Sequence, residues 1–221
     1  MSSELGKIEK PEAEQFKAPR KVYLVPLVFA PRQPSPDYAE IYERYWRGVR
    51  EHLLKLENSL GAIARVYHEA VGVAGAEGLD LAERISDRSG SVARNKVEAG
   101  ASFEALEDQE LVAESHDWQR CLMVGLESRK VGELAWNSYS EAMRQRYELM
   151  AKRIDETLKP GESGLLFVAE DHRIQFPGDV QVFFVAPPGL DEIHRWMRDQ
   201  QRKAEGKPSE GAEEGERANS E

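Results

Sequence analysis

Four carboxylates, Glu107, Glu110, Glu114 and Asp117, recur at helical spacing in FEALEDQELVAESHDWQRC, and Cys121 continues their stripe. Carboxylate oxygens so placed are ligands for a hard cation, or half of a dinuclear metal site completed by a second helix. A di-iron site of that kind uses Glu-x-x-His on paired helices. The chain contains no such motif, and His116 lies off the stripe. The competing reading is a solvated acidic face opposite Leu111, Trp118 and Leu122, the ordinary amphipathic pattern. That reading is preferred, and no cofactor is expected.

Three other groupings bear chemistry-capable side chains. Asp171 and His172 follow an apolar run that reads as a buried strand, and loops at strand ends are where α/β proteins hold ligands. They are candidates for acid, base or metal ligand, against the alternative of a polar turn between two strands. Arg195, Arg198, Arg202 and Lys203 form a basic stripe on the last helix, with Trp196 beside it. This is a candidate RNA contact, set against simple complementation of the helix dipole. His68 and Glu69 are adjacent on a strand, so their side chains diverge and form no dyad. Cys121, among Trp118 to Met123, reads as an inert core thiol. VGVAGAEG has neither the dinucleotide nor the P-loop glycine spacing, and there is no Gly-x-Ser-x-Gly elbow.

These residues sit in a chain of 221 residues with a net charge of −10. Such a balance disfavours bulk attraction to DNA, RNA or anionic lipid. No apolar run approaches the ~20 residues of a membrane span. The first residues, MSSELGKIEKPEAEQF, lack the apolar core of a secretory signal. One cysteine excludes an internal disulfide and a Cys-only zinc site, so a cytoplasmic protein is expected.

The elements that position the candidates follow from periodicity. Residues 1–20 and 202–221 are poor in core-forming side chains and read as a disordered leader and a disordered acidic tail around one domain, 21–201. Within it, KVYLVPLVF is a strand that Pro26 places near an edge or an irregularity. Ser35 then caps a helix over 36–60, with Tyr38, Tyr42, Tyr45, Trp46, Val49 and Leu53 along one face. Residues 62–71 return as a strand, so the two strands are parallel. Short helices over 78–86 and 91–99 precede a helix over 102–126. A second long helix runs from Ser128 to Leu158, about 45 Å at 1.5 Å per residue, with Val131, Leu134, Ala135 and Tyr139 opening its buried face. GLLFVA, VQVFFVA and a final helix from Leu190 complete an α/β (or α+β) domain. Its parts are a small mixed or parallel sheet, a βαβ start, a long central helix pair and a C-terminal ββα unit.

The segment AKRIDETLKPGESGLLFVAEDHRIQFPGDVQVFFV, Ala151 to Val185, resembles the third domain of archaeo-eukaryotic class 1 release factors and their bacterial relatives. The shared features are a helix, an acidic-Gly turn, a buried strand, a His-containing turn and another strand. The whole chain is similar to an uncharacterised prokaryotic α/β protein family. The Gly-Gly-Gln motif of release factors is absent, so peptide release is not carried over. The resemblance implies an α/β fold and a translation-related binding role.

The expectation from sequence is a non-catalytic cytoplasmic binding or adaptor protein that meets a protein partner through its long helices or acidic stripe. The same helices offer a route to homo-oligomers. The alternatives are a translation-associated protein touching ribosome or RNA through the last helix, and a metal-dependent enzyme built on residues 104–117. Generic DNA binding and a membrane partner are not expected.

Overall fold

The computed structural model describes residues 19–31 and 33–204. The expected disordered leader and tail lie almost wholly outside those residues. In chain order the elements are β1 (Arg20–Pro26), α1 (Pro36–Leu60), β2 (Ile63–His68), α2 (Gly75–Ile85), α3 (Asp87–Glu98), β3 (Ser102–Phe103), α4 (Gln109–Met123), α5 (Arg129–Thr157), β4 (Ser163–Val168), β5 (Val180–Phe184) and α6 (Pro188–Ala204). The five strands form one parallel sheet in the order β3-β2-β4-β1-β5. The fold is the expected α/β layering, and the βαβ start is present with β4 inserted between its two strands.

Alternation along β1 divides the core. Tyr23 and Val25 point to one face, where α1, α2, α3 and α6 pack, while Val22 and Leu24 point to the other, where Met150, Ile154 and Leu158 of α5 cover them. On the first face, α6 approaches α1 closely. A Cβ on Gly189 would lie 2.7 Å from Tyr45 Cα, so glycine is what permits the contact. Ser35 caps α1 as expected, its side chain accepting from the Tyr38 N–H.

The structure corrects several expectations, each for a local reason. β1 stands next to the edge strand β5, near an edge as expected but paired on both sides, and Pro26 is its last residue, where its missing N–H costs little. β1 also starts at Arg20, a residue assigned from sequence to the disordered leader. Arg20 is buried, pairs with Asp155 and Asp179, and donates to the Asp155 and Leu158 carbonyls at the end of α5. The helix expected over 102–126 is shorter. Ser102–Phe103 pair with β2, and α4 begins only where Asp108 accepts from the Glu110 and Leu111 N–H groups. α4 packs the expected side, with Leu111, Trp118 and Leu122 half-buried and Ser115, one helical turn from Leu111 and Trp118, fully buried beside Val112. Cys121 is exposed, not a core thiol. Residues 169–179 are no hairpin turn, because β4 and β5 are parallel and β1 lies between them.

α4 and α5 pack against each other and are joined by residues 124–128. Such a short link makes them antiparallel. The part of α5 that packs on the sheet begins at Tyr147. From Arg129 to Arg146, about 27 Å of helix, α5 extends beyond the sheet with α4 as its packed neighbour. Val131 and Leu134, expected in the core, lie on this arm and are exposed.

Candidate functional site

β2 ends in a tight turn closed by the Val71 N–H donating to the His68 carbonyl. Its third residue, Ala70, has φ +66°, a left-handed conformation normally taken by Gly or Asn. The surroundings enforce it. The Ala70 N–H donates to Glu107 Oε1 at 3.0 Å, its carbonyl accepts from Gln109 Nε2, and the Leu106 and Glu107 N–H groups both donate to the Val71 carbonyl. A backbone held off its preferred conformation at the carboxyl end of a central strand marks a place where the fold maintains a fixed geometry.

Glu107 anchors this edge. It is almost fully buried and receives the Arg146 guanidinium in a two-pronged contact, Nε to Oε2 at 2.9 Å and Nη2 to Oε1. Arg146 Nη1 also donates to Ser115 Oγ, and Glu69 Oε1 stands 3.5 Å from Nη2. Burial works against the Arg146 charge, but the Glu107 fork and the Glu69 charge outweigh it and raise the guanidinium above its ordinary pKa. Glu69 is pushed up, chiefly by burial, against the Ala169 N–H and Arg146, which favour its charge. The Tyr147 phenol is pushed up to about 12 by burial, with the charges of Glu69 and Asp171 adding to the effect.

The His68 and Glu69 side chains diverge, as strand alternation requires. His68 is fully buried on the other face, its Nδ1–H donating to the Glu69 carbonyl at 2.7 Å and its Nε2 lying 2.9 Å from Ser89 Oγ. A carbonyl only accepts, so Nδ1 carries the proton and the Ser89 hydroxyl donates to Nε2. Burial pulls His68 down to about 4, so it is neutral near pH 7. Ser89 is fully buried, which makes the pair a core hydrogen bond, not a nucleophile and base.

A groove of about 830 Å³ opens at this carboxyl edge, between α5 and residues 169–179. Trp136, Tyr139, Met143, Tyr147 and Ala151 of α5 supply its apolar side, and Asp171, Arg173 and Gln175 its polar side. The α5 residues recur every three or four positions and so share one face. It is the face that meets the sheet lower down, through Tyr147, Met150, Ile154 and Leu158. The sheet ends and the stripe continues past it. Arg144 at the rim is joined to both Glu148 and Glu141, so its charge is taken up on α5 itself.

The candidate residues from sequence fall in separate places. Glu107 belongs to the Arg146 fork, whereas Glu110, Glu114 and Asp117 lie exposed on α4. Glu114 accepts from Trp118 Nε1, and Asp117 pairs with Arg120. Among the described residues, no three His, Cys, Asp or Glu side chains stand close enough to hold a metal ion. Asp171 lines the groove. His172 turns inward, accepts from the Ile174 N–H, and is lowered in pKa mainly by burial. Arg195, Arg198 and Lys203 are exposed on α6 and Arg202 is half-buried. Trp196 packs on Tyr38, ring centroids 4.6 Å apart, and is not free to stack on a base. Sequence reasoning did not select Arg146, Glu69 as a groove neighbour, or the Trp136–Tyr147 stripe. The i, i+3, i+7, i+11 spacing of Trp136, Tyr139, Met143 and Tyr147 was the available signal for the stripe.

Among the described residues no helix is long and apolar enough to cross a membrane. No protein-family model, curated protein or solved structure matches the chain.

Proposed function

We propose that this chain is a non-catalytic cytoplasmic binding or adaptor protein that holds a segment of a protein partner in the groove beneath α5. The observation that carries this reading is the apolar stripe of Trp136, Tyr139, Met143 and Tyr147, which leaves the sheet and continues along the groove, Trp136 exposed and the other three half-buried. A stripe several helical turns long, faced by a polar wall, suits a peptide that offers apolar side chains to one side and hydrogen-bonding groups to the other. The buried Arg146–Glu107 fork fixes the base of the arm, so the stripe is presented by a rigid element. For Glu107 to ligate a cation it would have to leave Arg146, which weakens support for the metal-enzyme reading.

The test is selection of peptides on the folded protein from a random display library, followed by binding to wild type and to Met143→Asp. Enrichment of apolar-containing peptides that lose binding to Met143→Asp is the expected result. Peptides that bind both proteins equally would reject the groove as the site.

A second reading has one observation in its favour: the exposed Arg195, Arg198 and Lys203 on α6 could meet phosphates of ribosome or RNA. RNA binding that is lost when those residues are replaced by Ala would favour it.

A further inference from the structure

The outer end of the arm carries a second apolar surface, distinct from the groove. Met123 is 79% exposed, Val124 75%, Val131 48% and Leu134 61%. None of the four lines the groove. Val124 belongs to the link between α4 and α5, Met123 ends α4, and Val131 and Leu134 lie on the first turns of α5. Exposed large apolar side chains gathered at the end of a projecting hairpin are costly in water and mark an interaction surface.

Charge identifies the occupant. Residues 115–140 hold three acidic side chains, Asp117, Glu127 and Glu133, and three basic ones, Arg120, Arg129 and Lys130, within a chain of net charge −10. Two of the pairs are closed on the arm itself, Asp117 with Arg120 at 2.7 Å and Arg129 with Glu133 at 3.6 Å. The surface therefore offers no net charge to attract a basic or an acidic partner. It is instead suited to meet itself. A two-fold contact brings the same patch together from both molecules, so it must be self-complementary, and a neutral apolar patch meets that condition where an acidic one would repel its copy. Two antiparallel hairpins laid together also complete a four-helix arrangement, which covers apolar faces that one hairpin leaves open.

We infer that the partner of the arm's end is a second copy of this chain, giving a dimer joined through the α4–α5 hairpins. The inference is independent of the groove, because mass alone reads it and no groove ligand is involved. Light scattering on the full chain is expected to give about twice the 25.0 kDa of one copy. Association should tighten as salt is raised, because screening weakens repulsion between two acidic molecules. The double variant Val131→Glu/Leu134→Glu, checked for an unchanged thermal melt, is expected to be a monomer. Met123→Glu serves the same purpose should that variant unfold. Phe184→Glu, at an exposed apolar residue on β5, should stay dimeric. A spin label on Cys121, the single cysteine and exposed on α4, should show an intermolecular dipolar signal that Leu134→Glu abolishes. A wild-type chain that stays monomeric at high micromolar concentration overturns the inference. So does a dimer that survives the arm variants and dissolves in Phe184→Glu.

Discussion

Arg146 and Glu107, 39 positions apart in sequence, meet as a buried fork that joins three parts of the molecule. Arg146 belongs to α5. Glu107 lies just before α4, and its second role is to accept from Ala70 in the turn after β2. The carboxyl edge of the sheet, the base of the arm and one end of the groove are thereby held in a single geometry.

The two members of this pair should act as one unit when they are removed. Arg146→Met leaves the Glu107 carboxylate buried without its fork, and Glu107→Leu leaves Arg146 with only Glu69, 3.5 Å away, as counter-charge. Each is expected to cost about 3–5 kcal/mol in urea unfolding. The double replacement should cost clearly less than the two losses added together, since the first replacement already breaks the fork and the second has no fork left to break. Additive losses would show that the fork is not one unit.

The Ala70 turn makes a separate prediction. Ala70→Gly relieves a left-handed alanine but gives the unfolded chain more freedom, so stability should stay within ~1 kcal/mol of wild type. Ala70→Val puts a β-branched side chain at φ +66°, and a loss of roughly 2 kcal/mol is expected. Equal stability of the two variants would contradict the strained turn.

Much of this architecture is legible in the sequence, and the failures are instructive. The α1 face and its Ser35 cap follow from periodicity and a side-chain hydrogen bond, both local. The insertion of β4 between β1 and β2 is not local, since nothing in an apolar run names its neighbour. The acidic stripe shows the same limit. Spacing put Glu107 with Glu110, Glu114 and Asp117, but Asp108 starts the helix one residue too late to include it. A carboxylate destined for a buried arginine looks the same in sequence as one destined for water. Val131 and Leu134 have the right period for a buried face, and they are exposed because the helix outruns the sheet.

His68 should make the protein acid-sensitive. Its pKa falls from 6.5 to about 4 on folding, so between those values the unfolded chain binds more protons. Its contribution is therefore complete above pH 6.5 and is lost as pH falls toward 4, by about 3 kcal/mol in all. Glu69 acts in the opposite sense. Its raised pKa favours the fold at low pH, and that contribution is lost as pH rises from 4.5 through the folded value. Urea unfolding of wild type and His68→Gln across pH 4 to 7 separates the two, because Glu69 is common to both proteins. The difference between their stabilities should shrink steadily as pH falls below 6.5. A pH-independent difference would mean that His68 is not held neutral.

Arg20 tests where the fold begins. It joins the start of β1 to the end of α5 and to Asp179 before β5, through partners that are themselves half in water. Arg20→Ala, and a chain beginning at Lys21, should each lose about 2 kcal/mol, more than a surface change would cost. A chain that begins at Arg20 and retains full stability would show that the preceding residues add nothing. An unchanged melt for Arg20→Ala would remove it from the structural account.

Four of the five methionines report on separate surfaces of the molecule. Met143 lines the groove, Met123 ends the arm, Met150 is buried under the sheet and Met197 lies on α6 beside Arg198. Methyl NMR of methionine-labelled full chain, titrated first with a groove-selected peptide and then with single-stranded RNA, reports on each surface at once. The peptide is expected to shift Met143 and leave Met197 in place, and RNA to move neither. A Met143 signal indifferent to the peptide, with Met197 shifting on addition of RNA, would contradict the proposal.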